Sequence, residues 1–196
     1  MKRRDVIKGL GLSLGYVVAT PSVLGMLQSC KNEPSQLSWS PVFLSADEGV
    51  VLENLVDLIL PKTEDLPGAN DVDVVKFIDL YASKVIDEEG QKQYKEGLAA
   101  VMKALDKPIN KLTTEDYDAL LAKYLKADKE QREAFHQNEG EKVVLNTLEG
   151  IRGITIWAYK TSEYVGENVL AYDPVPGIQK GCISLEEATG GKAWSL

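Results

Sequence analysis

The sequence predicts an all-α protein: a small irregular domain of about five helices, followed by an extended C-terminal arm rich in proline and glycine. Apolar residues recur at helical spacing in several segments, and no segment shows the sustained apolar-polar alternation of a half-buried strand. Beyond Leu170 the helical periodicity stops, and prolines and glycines become frequent. The 196 residues suit one domain plus a short targeting segment.

The first helix is predicted to begin after Ser45. Ser45 and Glu48 have the spacing of a capping box, in which each side chain accepts a hydrogen bond from the backbone amide of the other residue. Pro61 ends this helix, because proline cannot donate a backbone hydrogen bond. The apolar face between these two points consists of Val51, Leu52, Leu55, Val56 and Ile59.

Residues 61–70 are predicted to form a loop, since they contain two prolines and a glycine and show no periodicity. A second helix is expected to start near Asp71 and Asp73, whose carboxylates suit a helix N-terminus, and to end near Gly90. Its apolar stripe consists of Val74, Ile78, Tyr81, Ala82 and Val85.

Three further helices and a short polar helical piece at residues 128–136 are predicted after that. Thr113 or Thr114 caps the fourth helix, and a longer helix begins near Glu139. Gly150 and Gly153 lower the helical propensity of the long helix and predict the close approach of another backbone. The apolar stripes are Tyr94, Leu98, Val101, Met102 and Leu105; then Tyr117, Leu120, Leu121, Tyr124 and Leu125; then Val143, Val144, Leu148, Ile151, Thr155 and Ala158.

The N-terminus has the layout of a twin-arginine export signal. Arg3 and Arg4 precede two apolar residues and a lysine, and an uncharged stretch then runs from Gly9 to Ser29. A transmembrane anchor is the competing interpretation, but glycines and a proline dilute the stretch. We therefore expect residues 1–29 to be a leader, and export of a chain that has already folded.

Residues 27–30, with the sequence LQSC, resemble a lipobox in which Cys30 is lipidated and becomes the new N-terminus. Gln28 is unusual in such a motif, and an ordinary cleavage junction is the alternative. A polar run follows Cys30, as expected of a tether. The predicted organisation is leader 1–29, tether 30–44 and helical domain 45–196, anchored by lipid at the periplasmic face of a membrane.

The charge and the cysteine count exclude several classes of protein. The formal charge is −8, and an acidic surface repels phosphate backbones, so nucleic acid is not expected as a partner. Cys30 and Cys182 are the only cysteines, which rules out a disulfide framework and a Cys-x-x-Cys metal site.

No residues are predicted to carry catalysis, a cofactor or a metal ion. The glycines at 9, 11 and 15 lack the spacing of a dinucleotide-binding loop, and no Gly-x-Ser-x-Gly motif occurs after the leader. His136 is the sole histidine and lies in a polar run, where we expect it to be exposed. The acidic residues are scattered and interpreted as solvated.

Two blocks of sequence resemble the gluconate 2-dehydrogenase subunit 3 family, the small partners of flavin-dependent membrane dehydrogenases of the glucose-methanol-choline type. The first comprises residues 60–69, LPKTEDLPGA, followed by residues 74–79, VVKFID. The second comprises residues 161–166, TSEYVG, continues through residues 172–177, YDPVPG, and reaches Gly181 and Cys182. The resemblance spans roughly residues 45–185, with the middle helices matching only in general pattern.

This resemblance implies a non-catalytic subunit that binds a flavin-containing sugar or sugar-acid dehydrogenase and aids its export, maturation and membrane attachment. FAD is expected in the partner, and a haem subunit is a further expected electron-transfer partner. The loop at 61–70 and the tail at 164–185 are expected to contact the flavin subunit. The residues assigned to this contact are Pro61, Lys62, Thr63, Pro67, Gly68, Tyr172, Pro174, Pro176, Gly177 and Gly181.

Two alternatives stay open at this point. Cys182 is either a buried small hydrophobe or the site of an inter-subunit disulfide. The protein as a whole is either the accessory subunit or an independent envelope lipoprotein with a binding or structural role; a hydrolase built on surface carboxylates is the weakest hypothesis.

Overall fold

The computed structural model describes residues 37–175, 177 and 180–195, and within these ranges the protein is all-α, as predicted. The described part contains seven α-helices, more than the expected five or so. They are α1 Ala46–Ile59, α2 Val74–Lys84, α3 Glu88–Ala104, α4 Thr114–Leu125, α5 Lys129–Gln137, α6 Glu139–Thr161 and α7 Leu185–Thr189. A π-helix, Val165–Val169, follows α6.

The longest helix, α6, lies at the centre of the domain and packs against all of α1 to α5. Leu145, Leu148 and Ile151 on α6 are fully buried, and the predicted apolar stripes of α1, α3 and α4 meet them in one hydrophobic core. The burial of these stripes is the main stabilising contribution, because hydrophobic transfer favours removing apolar surface from water. None of the helices within the described ranges is long and apolar enough to cross a membrane.

Local capping signals place the helix ends. Ser45 and Glu48 form the predicted capping box of α1, and Glu48 also pairs with Lys95 of α3 at 2.5 Å. Thr113 is the N-cap of α4, one of the two candidates that the sequence offered. Asp128 caps α5 in the same way as Ser45 caps α1.

The second helix ends earlier than predicted, at Lys84 rather than near Gly90. Asp87 caps α3 by accepting a hydrogen bond from the Gly90 amide at 2.9 Å, so Gly90 lies in the first turn of the next helix. Val85, assigned to the apolar stripe, lies beyond the helix and is 62% exposed. The N-cap signal of Asp87 overrides the stop signal of Gly90, because the Asp87 carboxylate satisfies a backbone amide in the first turn of the new helix.

The prediction of a close backbone approach at Gly150 and Gly153 is wrong. A Cβ atom added at either position meets no atom within 4 Å, and both glycines are exposed. The close approach occurs instead at Gly97 of α3, where a side chain would collide with Thr147 of α6. Gly97 therefore allows α3 to pack closely against the central helix.

The C-terminal arm contains one short helix, α7, that was not predicted from the sequence. Ser184 caps it by accepting a hydrogen bond from the Glu187 amide at 3.1 Å. The two ends of the arm are joined by an isolated parallel bridge: the Ala171 amide donates to the Ala193 carbonyl at 2.9 Å, and the Ser195 amide to the Ala171 carbonyl at 3.0 Å. This bridge closes a loop between Ala171 and Ser195, and its described residues, 171–175, 177 and 180–195, are here named the C-terminal loop.

Asp79 on α2 is a buried carboxylate, 2% exposed, whose role the sequence did not indicate. Its Oδ1 accepts hydrogen bonds from the backbone amides of Phe43 at 3.0 Å and Leu44 at 2.8 Å, and its Oδ2 accepts one from Val42 at 2.7 Å. These bonds fix the segment before α1 onto α2.

Candidate partner-binding site

The loop after α1 has a well-defined conformation despite its exposure. The Ala69 amide donates to the Leu60 carbonyl at 2.9 Å and closes the loop at its base. Within it, the Thr63 amide donates to the Leu66 carbonyl at 3.0 Å. Gly68 is required by a close approach, because a Cβ atom there would lie 2.7 Å from the backbone nitrogen of Lys62.

Asp71 holds the same loop through both of its carboxylate oxygens. Its Oδ2 accepts a hydrogen bond from the Gly68 amide at 2.9 Å, and its Oδ1 lies 3.2 Å from Nζ of Lys62. The Gly68 amide and the Lys62 ammonium lower the pKa of Asp71. The carboxylate therefore stays ionised in the loop at neutral pH.

Tyr159, near the end of α6, connects this loop to the second block of the sequence. Its hydroxyl donates a hydrogen bond to the Pro67 carbonyl at 2.8 Å, across 92 residues of chain. Burial raises the pKa of the Tyr159 hydroxyl, which is thus protonated and able to donate. The two blocks that carry the family resemblance are therefore adjacent in the folded protein.

A groove of about 600 Å³ lies between the two blocks. Its first wall comes from the loop and the turn before α2, and its second wall from the end of α6 and the π-helix. The residues of the first wall are Lys62, Pro67, Asp71, Val72 and Asp73, and those of the second are Ser162, Glu163, Tyr164, Glu167 and Asn168.

The π-helix shapes the second wall. Val165 is buried at its start, and the Leu170 amide donates to the Val165 carbonyl at 2.9 Å to close the wide turn. Π-helical turns are rare and occur frequently at functional sites. Glu167 on this turn lines the groove together with Glu163 and Tyr164, which directly precede the turn, and Tyr164 is 54% exposed.

An exposed aromatic patch adjoins the groove, and we define it as Phe77, Leu80 and Tyr81 of α2 with Trp157 of α6. Phe77, Leu80 and Trp157 are 40%, 50% and 46% exposed. The Phe77 and Tyr81 rings lie edge-on to the Trp157 ring, with centroids 5.4 and 5.5 Å away. A second hollow of about 330 Å³ includes Phe77 and Leu80 and shares Val72, Asp73, Ser162 and Glu163 with the groove.

Of the predicted contact residues, Lys62 and Pro67 line the groove, and Gly68 is buried beneath it. The remaining described ones are exposed: Pro61, Thr63, Tyr172, Pro174, Gly177 and Gly181. Those of the tail belong to the C-terminal loop and do not line the groove. Pro176, the export residues Arg3 and Arg4, and Cys30 lie outside the described residues.

The aromatic patch and Glu163 lie outside the two segments, 61–70 and 164–185, that the sequence predicts to contact the partner, whereas Glu167 lies within the second. Phe77 and Leu80 fall outside the buried stripe of α2, and Trp157 falls outside that of α6. Large apolar side chains on the polar face of an amphipathic helix are the signal that could have identified them.

Cys182 is exposed and makes no disulfide within the described residues, so the alternative of a buried hydrophobe is wrong. The inter-subunit disulfide stays a prediction. His136 is exposed, as predicted. Among the described residues, no group of three or more His, Cys, Asp or Glu side chains is arranged to hold a metal ion.

An all-α domain that presents an open groove beside exposed aromatic rings has the features of a protein-binding module. The family model of gluconate 2-dehydrogenase subunit 3 matches residues 46–177, and the chain belongs to this family. The family consists of dehydrogenase subunits, which implies a catalytic subunit as partner. A comparison with curated proteins finds no match, and neither does a comparison with solved structures.

Proposed function

We propose that this protein is a non-catalytic accessory subunit that binds the FAD-containing catalytic subunit of a sugar or sugar-acid dehydrogenase. The observation that carries the proposal is that the first sequence block and residues 162–164 of the second block line one groove beside the aromatic patch. The whole groove, from Lys62 to Asn168, falls within the range matched by the family.

Four exposed large side chains, three of them aromatic, supply the driving force for this binding. Phe77, Leu80, Trp157 and Tyr164 are each about half exposed. Together they offer roughly 380 Å² of surface, taking about 200 Å² for a whole side chain. At about 25 cal/mol per Å², covering this surface contributes roughly 9 kcal/mol before the cost of association is subtracted. Aromatic residues in a desolvated centre are typical of binding hot spots.

The C-terminal loop extends the contact surface. Tyr172, Val175, Ile183, Leu185 and Trp194 are all large apolar residues exposed on it. Because the bridge between Ala171 and Trp194 closes the loop, these side chains are presented on a constrained segment. An inter-subunit disulfide through Cys182 would lie on the same loop.

Export and membrane attachment are part of the proposal. The twin-arginine route carries folded proteins, so a chain with this signal can escort a folded flavoprotein that lacks one. Replacing Arg3 and Arg4 with lysine should retain both proteins in the cytoplasm. Replacing Cys30 with alanine should release the complex from the membrane while leaving it assembled, since lipid on Cys30 is the proposed anchor.

The binding proposal is tested by isolating the tagged full-length chain from membranes of its own host and measuring the FAD retained per chain. Trp157→Ala should lose most of the FAD, because the substitution removes the centre of the aromatic patch. Val143→Ala is the matched control, since Val143 lies on the same helix and is 39% exposed. Equal FAD in both variants would contradict the assigned surface. A wild-type chain that carries no flavoprotein would favour an independent envelope lipoprotein.

A further inference from the structure

The charges around the aromatic patch indicate what kind of surface covers it. Four carboxylates line the groove, those of Asp71, Asp73, Glu163 and Glu167, against one ammonium group, that of Lys62. Asp71 is engaged by Lys62, and Asp73 pairs with Lys76 at 2.7 Å. Among the described residues, neither Glu163 nor Glu167 lies in an ion pair.

The two unpaired glutamates are neighbours on the second wall. Glu163 lies just before the π-helix and Glu167 lies within it, four residues further along the chain. Both are exposed, and both line the groove. Like charges at this spacing on a helical segment repel each other, and a cation between them relieves the repulsion. Lys192 reaches the Asn168 carbonyl at 3.5 Å from the C-terminal loop and pairs with neither glutamate.

We propose that the groove and the aromatic patch together receive an apolar segment of the catalytic subunit that carries a basic side chain, with that side chain between Glu163 and Glu167. The proposal rests on the proposed function and specifies the chemistry of the partner. Arginine fits best, because its planar guanidinium can pair with a carboxylate and stack on the adjacent Tyr164 ring at the same time. The apolar side chains of the segment cover Phe77, Leu80 and Trp157.

The same charges argue against two other occupants of this surface. A second copy of the chain would bring its own glutamates to the contact, in a protein whose formal charge is −8. A membrane with anionic lipids would repel the acidic wall. A basic segment of another protein is the occupant that satisfies both the apolar and the charged part of the surface.

The test uses the full-length complex, immobilised through the tagged chain, and follows the release of FAD-containing protein at increasing NaCl. Glu163→Gln combined with Glu167→Gln should release it about 5 to 10 times faster than wild type at low salt, and raising the salt should close this gap. The matched control, Glu130→Gln with Glu133→Gln on α5, removes the same charge elsewhere and should behave as wild type.

Each outcome separates this inference from the proposed function. The inferred basic segment would be wrong if the Glu163 and Glu167 double variant showed wild-type release rates and salt dependence while Trp157→Ala lost FAD. That result would leave the accessory role intact. Dissociation of a homodimer by Trp157→Ala, or binding of the wild-type chain to anionic vesicles through this patch, would also overturn the inference. Absence of flavoprotein from the wild-type chain would overturn both.

Discussion

Replacing the buried Asp79 tests how the segment before α1 is held. Asp79→Ala removes the acceptor of three backbone amides, two of which, those of Phe43 and Leu44, share one carboxylate oxygen. A hydrogen bond to a charged group contributes about 1.5–3 kcal/mol, and an amide left unpaired in a buried position costs a similar amount. The bond from Val42, whose side chain is 65% exposed, is worth less because water can replace it.

Counting the two more buried bonds in full and discounting the third, we expect Asp79→Ala to lower the free energy of unfolding by about 4 kcal/mol. With an m-value of roughly 2 kcal/mol/M, the urea midpoint should fall by about 2 M. Asp118→Asn on α4, which is exposed, is the control and should leave the midpoint unchanged. A loss below about 0.5 M in Asp79→Ala would refute the reasoning that these bonds anchor the segment.

Three further predictions concern the capping box, the junction of the two blocks and the long helix. Burial alone would raise the pKa of Glu48, but the hydrogen bonds from Lys95 and the Ser45 amide together outweigh it and lower the pKa. The contribution of Glu48 to stability is therefore present above pH 4.5 and lost as the pH falls further. Urea melts of Glu48→Gln and wild type should differ at pH 7 and converge in acid. Tyr159→Phe should reduce the free energy of unfolding by about 1 kcal/mol and weaken retention of the flavoprotein, measured by urea titration and FAD content; unchanged retention would show that the bond to Pro67 does not shape the site. Gly153→Ala should increase the free energy of unfolding by about 0.5–1 kcal/mol and so raise the thermal midpoint, because the position is helical and an added Cβ atom meets no neighbour. A lower midpoint would contradict this open environment.

The features that the sequence predicted correctly are local ones. The capping box at Ser45 and Glu48 and the stop at Pro61 depend on residues within a few positions of each other, so both ends of α1 could be predicted from the sequence. Most residues of the apolar stripes follow the same logic, because helical periodicity largely decides which side chains face the core. Val85 and Val143 are exceptions, since both are exposed. Of the contact residues predicted from the family blocks, Lys62 and Pro67 line the groove, and their contact with a partner stays a prediction.

Two of the missed features depend on contacts between distant segments, and the third depends on two competing local signals. Asp79 looks like an ordinary polar residue of α2, and only the folded chain shows it buried against amides 35 to 37 residues earlier. The hydrogen bond from Tyr159 to Pro67 spans 92 residues and follows from no local pattern. The end of α2 was misplaced because the N-cap signal of Asp87 competes with the stop signal of Gly90.

The most direct test of the account is site-specific cross-linking in the living host. A photo-reactive amino acid replacing Tyr164 of the full-length chain should form a covalent adduct with an FAD-containing dehydrogenase subunit, because Tyr164 is 54% exposed in the groove. The same amino acid at Asp118, which is exposed on α4, should give no such adduct. Adducts of equal yield at both positions, or none with a flavoprotein at Tyr164, would contradict the claim that this groove binds the catalytic subunit.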